Sequence, residues 1–189
     1  LNSDGNKESS SLSLRSLSRP ATLRRAGELM QQASAQPRYD GEVFRRTRQQ
    51  AELALKQNES NPAYIAQRES VKLDYPQHPY SASAYTSVQS LRAVSLDDVK
   101  AFHRNQYAKQ GAVVALVGDL NRREADRLVS RLLKGLPEKA QTAARVPPVA
   151  EQAGRRTNIP FASEQAQVVL SMPLISRNDP DYFALVAGN

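Results

Sequence analysis

The stretch "VSLDDVKAFHRNQYAKQGAVVALVGDLNRREADRLVSRLLKGLP", residues 94 to 137, constrains the fold more than any other part of the chain. Ser95 stands where a helix N-cap is needed, Asp98 follows at the spacing of a capping box, and Val94 with Val99 has the spacing of a hydrophobic staple. Asn121 and Glu124 repeat the box. Behind them Ala125, Leu128 and Leu132 make an apolar stripe, and Gly135 with Pro137 stops the helix. Between these helices "GAVVALVGDL" (111–120) is short, apolar, β-branched and bounded by glycine, which is the pattern of a buried strand. Helix, strand and helix in that order predict an α+β fold, a two-layer arrangement in which helices cover a sheet.

Upstream, "SSSLSLRSLS" (9–18) alternates serine with leucine and reads as a half-buried strand. Pro20 opens a helix whose Leu23, Ala26, Met30 and Ala33 form one stripe, and Pro37 ends it. A second helix is expected from Glu42 to Asn58, with Phe44, Thr47, Ala51, Ala54 and Leu55 on its inner face. "SNP" (60–62) breaks it, and a third helix through Tyr64, Ile65 and Val71 leads to "YPQHPYSASAY" (75–85). Pro76 and Pro79 bias the residues before them to extended backbone, which puts His78 in a rigid turn between helices. Residues 137–160 have no period and read as a linker. "AQVVLSMPLI" (166–175) reads as a strand, and "NDPDYFALVAGN" as a helix capped by Asp179 with Pro180 at its first position. That helix offers Tyr182, Phe183, Leu185 and Val186 for burial with nothing after them, and the 9–18 strand has no evident partner before it. Both features predict a piece cut from a longer protein.

Composition excludes several functions. The chain has 189 residues, no cysteine and two histidines, so disulfides, thiol nucleophiles and cysteine-based zinc fingers are out. No apolar run is long enough for a membrane span, and the first residues lack the apolar core of a secretory signal. The net charge of +7 invites a nucleic-acid reading, but the arginines fall in separated pairs with no aromatic interleaving, as on a solvated basic surface. No G-x-S-x-G elbow, G-x-G-x-x-G or Walker lysine occurs. Asp119 reads as a turn former, and His103, next to Phe102 on a helix, as a structural histidine.

Taken in order, His78-Pro79-Tyr80, the "VSLDDVKAFH" helix, "VALVGDL", a helix ending in Leu-Pro, and a Gln-led strand followed by "DPDYFAL" resemble the pitrilysin (insulinase-type) zinc metallopeptidase family. The likeness is to its bacterial, processing-peptidase-like branch and covers nearly the whole chain. It implies two related α+β repeats: residues 1–136 as the major part of the first, 137–160 as interdomain linker, and 161–189 as the start of the second. A bacterial envelope or periplasmic setting goes with it.

Active members of that family hold zinc through H-x-x-E-H on one helix, whose glutamate activates the metal-bound water. No H-x-x-E-H occurs here, so neither a catalytic nor a metal residue is assigned. The resemblance places a third zinc ligand, a glutamate, about two turns before the proline of "SNP"; that position holds Ala54. Glu52 is the nearest carboxylate, rotated from Ala54 by about 200° and therefore expected to face away from the inner stripe. His78, Pro79 and Tyr80 match a family landmark outside the zinc site, with Ser81 where a glycine is common. The implied role is that of a non-catalytic, peptide-binding subunit or region, paired with an active subunit or repeat and acting on peptides or unfolded proteins. The alternatives are a purely structural assembly subunit on the same fold and a basic nucleic-acid-binding domain.

Overall fold

A computed structural model describes residues 1–141, 146–150 and 153–188; the rest of the expected linker lies outside the described residues. The chain forms two compact units, Leu1–Thr47 with Val94–Ala144 and Arg48–Ala93 with Arg145–Asn189. It is mostly helical with one small sheet.

The first unit opens with a hairpin. Strand β1 (Asn2–Gly5) pairs antiparallel with β2 (Ser10–Ser13), Asn2 opposite Ser13 and Gly5 opposite Ser10. Asn6 closes the turn, because its Oδ1 accepts the amides of Glu8 and Ser9 at 2.8 and 2.9 Å, the local bonding that makes asparagine a turn former. Leu12 and Leu14 are half-buried between exposed neighbours, as the alternation requires. The expectation that this strand lacks a partner before it is corrected. Its partner is the polar Asn-Ser-Asp-Gly segment, which carries no strand signal.

Helix α1 (Pro20–Ala35) starts on its proline. Leu23, Ala26, Gly27 and Met30 are shielded, but Ala33 is exposed and Ser34 takes its place on the inner face. Helix α6 (Arg122–Leu132) begins with the expected box: Asn121 Oδ1 accepts the Glu124 amide and Glu124 Oε2 accepts the Asn121 amide, each at 3.0 Å. These two helices pack together. Leu128 and Leu132 are buried, and a Cβ on Gly27 would lie 3.2 Å from Leu128 Cδ1. Gln31 Nε2 donates to the Lys134 carbonyl at 2.8 Å. Gly135, at φ +93°, adopts the left-handed conformation that ends the helix and that a side chain would strain.

Helix α5 (Leu96–Gln106) carries the other box, with Ser95 Oγ accepting the Asp98 amide at 3.1 Å and Asp98 Oδ2 accepting the Ser95 amide at 2.8 Å. The Ser95 hydroxyl and amide together hold the Asp98 carboxyl below the usual carboxylate range. Segment 137–141 runs back along the end of α5: Lys109 and Gln110 amides donate to the Pro137 and Glu138 carbonyls, and the Gln141 amide to Asn105, each at 2.9 Å.

The second unit contains most of α2 (Gly41–Asn58), then α3 (Pro62–Asp74), a 3-10 helix (Pro79–Tyr85), α4 (Val88–Ala93) and α7 (Tyr182–Gly188). Asn61 caps α3 by accepting the Ala63 and Tyr64 amides. On α3, burial works against the ionised Glu69, but the hydrogen bonds and charge of Lys72 and then Arg68 outweigh it and lower its pKa. A lowered carboxylate pKa stabilises the fold above the unfolded value, and that contribution disappears as the pH falls through the folded one. Helix α7 begins at Tyr182 rather than Pro180, because Asp179 spends its Oδ1 on the Asp181 amide (3.0 Å) and makes a turn first.

The two apolar runs, 111–120 and 166–175, join no ladder among the described residues, where the sheet is β1–β2 alone. The sheet is therefore a hairpin among helices; the expected two-layer sheet is absent from these residues. Val113, Val117, Val168 and Leu170 are nearly or wholly exposed. Apolar patterning reports a preference for burial, whereas a strand also needs a neighbour's amides and carbonyls in reach. Removing apolar bulk distinguishes the two kinds of site. Leu128→Ala should cost about 2–4 kcal/mol in urea unfolding, and Val117→Ala less than about 0.5 kcal/mol. A comparable loss at Val117 would show that the 111–120 run is packed.

Candidate functional site

The His78 corner is built from backbone first. The Tyr75 carbonyl accepts the His78 amide at 3.2 Å, Pro76 takes the second turn position, and Gln77 sits at φ +59°, the positive angle a type II turn requires at its third residue. His78 then caps the 3-10 helix. Its Nδ1 accepts the Tyr80 amide at 3.1 Å and its Nε2 donates to the Pro147 carbonyl at 2.9 Å. A carbonyl cannot donate and an amide N–H cannot accept, so these partners fix the neutral Nε2–H tautomer. The Tyr80 and Tyr75 rings stand 4.8 and 6.0 Å away. Ser81 is 1% exposed, and both its amide and its hydroxyl donate to the His78 carbonyl at 2.9 Å. The Ser81 hydroxyl adds a second bond to the amide's and locks the turn.

On α2 the shielded residues are Phe44, Arg48, Glu52 and Leu55, while Thr47, Ala51 and Ala54 are exposed. The expected inner face is thus displaced around the helix, and Glu52 does not face away. Its side chain is 14% exposed, and its Oε2 accepts Arg92 Nε and Nη2, each at 2.9 Å. The guanidinium lets a carboxylate occupy a face that an apolar-stripe reading assigns to alanines. No local signal in the sequence marks Arg92 as this partner, and none marks Pro147 as that of His78.

One ring nitrogen of His103 is also engaged. Its Nε2 donates to the Ser34 carbonyl at 2.7 Å, and the Tyr39 and Tyr107 rings lie 5.8 and 4.6 Å from it. Burial pushes the Tyr39 hydroxyl up against the opposing charges of Arg104 and Lys100.

The residues present do not fit a zinc site. Ala54 has no donor atom, Glu52 is committed to Arg92, both His78 nitrogens are bonded to backbone groups, and His103 Nε2 is bonded to the Ser34 carbonyl. Among the described residues no group of three His, Cys, Asp or Glu could hold a metal ion. The arrangement supports a fixed chain corner and a helix-to-helix ion pair.

Two substitutions weigh these contacts. Ser81→Ala should lower stability by about 1 kcal/mol, the ordinary worth of one hydrogen bond, read as a shift in urea midpoint without a change in slope. Glu52→Ala should cost at most about 1 kcal/mol, because Arg92 is largely solvated, and less at high salt.

Residues 93–189 match the family model described as the peptidase M16 inactive domain. The crystal structure of a peptidase M16 inactive domain from Pseudomonas fluorescens is similar to the chain with a TM-score of 0.67 at 28% identity, over 72% of this chain and 33% of that one. The chain thus spans about a third of the length of that structure. No curated protein matches it. With the family model covering half of the sequence and the landmark order intact, the chain belongs to the pitrilysin-type peptidase M16 family.

Proposed function

We propose that this chain is a non-catalytic, peptide-binding part of a pitrilysin-type metalloendopeptidase assembly, acting beside an active subunit or repeat that carries the zinc. The observation that carries this reading is the match of residues 93–189 to a domain described as inactive. The committed histidines and the missing carboxylate at Ala54 support it. In this reading residues 1–136 supply most of a first two-layer α/β repeat, 137–160 connect, and 161–189 open a second. The apolar runs at 111–120 and 166–175, which join no ladder among the described residues, offer backbone groups to which an extended peptide can add by hydrogen bonds.

Fluorescein-labelled unfolded casein tests the reading. The chain should raise the anisotropy of the probe without cutting it, and a chelator should change nothing. Chelator-sensitive cleavage would contradict the non-catalytic part, and absence of binding would leave a purely structural subunit.

A further inference from the structure

We propose that the His78 ring is a proton-operated clasp, holding the segment around Pro147 against the corner between α3 and the 3-10 helix while the ring is neutral and releasing it on protonation. The two ring bonds carry the argument. Nε2–H donates to the Pro147 carbonyl at 2.9 Å, and Nδ1 accepts the Tyr80 amide at 3.1 Å. A proton added at Nδ1 places two donors, Nδ1–H and the Tyr80 N–H, face to face at that distance with no acceptor between them. The ring must then leave the cap, and the Nε2–H bond to Pro147, which depends on the ring's placement, goes with it.

The clasp is set by geometry on several sides. Gln77 at φ +59° and Ser81, whose amide and hydroxyl grip the His78 carbonyl, fix the backbone on which the ring turns. The ring therefore moves against a rigid frame. Among the described residues the titratable groups facing it are the Tyr75 ring at the end of α3 and the Tyr80 ring of the 3-10 helix. Residues 146–150, Val-Pro-Pro-Val-Ala, have no titratable side chain. The nearest charged residues along the chain are Asp74 and Lys72, and Lys72 is paired with Glu69. Imidazole changes charge in the range where few other groups do, and the other imidazole, His103, bonds the Ser34 carbonyl rather than this segment.

Two histidines in the whole chain make the test direct. Long-range proton–nitrogen NMR at about pH 8 should show His78 as the Nε2–H tautomer. On lowering the pH to about 5, amide exchange at Val146, Val149 and Ala150, corrected for intrinsic rates, should accelerate roughly fivefold, the factor that loss of one ordinary hydrogen bond gives. Its midpoint should coincide with that of the His78 ring. His78→Asn keeps a good capping acceptor but cannot titrate, so exchange in this variant should be independent of pH. An Nδ1–H tautomer in the unsubstituted chain, ring protonation without faster exchange, or an unchanged pH response in His78→Asn would each overturn the clasp. The tautomer measurement stands even if the variant fails to fold.

Discussion

Gly27 allows α1 to lie against α6, and much of the first unit follows from that approach. With no side chain there, Leu128 and Leu132 close onto the helix backbone, and the same alignment brings Gln31 to the Lys134 carbonyl. The far end of α1 then presents the Ser34 carbonyl to His103, which ties α5 to the pair. The Gly135 turn fits beside Ala35, to whose Cβ any side chain at 135 would come within 3.3 Å. One close approach thus places three helices of the unit and explains why its best-buried leucines sit on α6.

In the second unit the corresponding constraint is polar. The corner at His78 is a set of backbone groups satisfied by one another and by side chains: Tyr75 carbonyl to His78 amide, His78 carbonyl to Ser81, His78 ring to Tyr80 and Pro147. A buried group left without a partner is expensive, whereas a fully bonded set fixes one geometry. A histidine serves here because its two nitrogens can accept and donate at once. The features that make it a good corner, a fixed tautomer and no free lone pair, also remove it as a metal ligand.

What the sequence made legible was local. The boxes Ser95–Asp98 and Asn121–Glu124 formed as read because their partners lie within one helical turn, and Pro20, Pro37 and Gly135 mark boundaries by their own backbone limits. The family order was legible for the same reason. Contacts that depend on distant partners were not. The face of α2 was misjudged because Arg92 makes Glu52 acceptable on the shielded side, and nothing within reach of α2 in sequence reports that. The β1 partner was missed because asparagine, serine, aspartate and glycine carry no strand propensity. The apolar runs at 111–120 and 166–175 read as strands from hydrophobicity alone, which is silent on whether a ladder partner is in reach.

The central claim is that the described residues assemble no zinc site: the His78 ring is spent on structure, residue 54 is an alanine without a donor atom, and the neighbouring Glu52 is spent on Arg92. Calorimetric titration of the chain with zinc at neutral pH tests this most directly. The account predicts no stoichiometric binding event and no zinc-dependent rise in melting temperature. A one-to-one submicromolar site would contradict it.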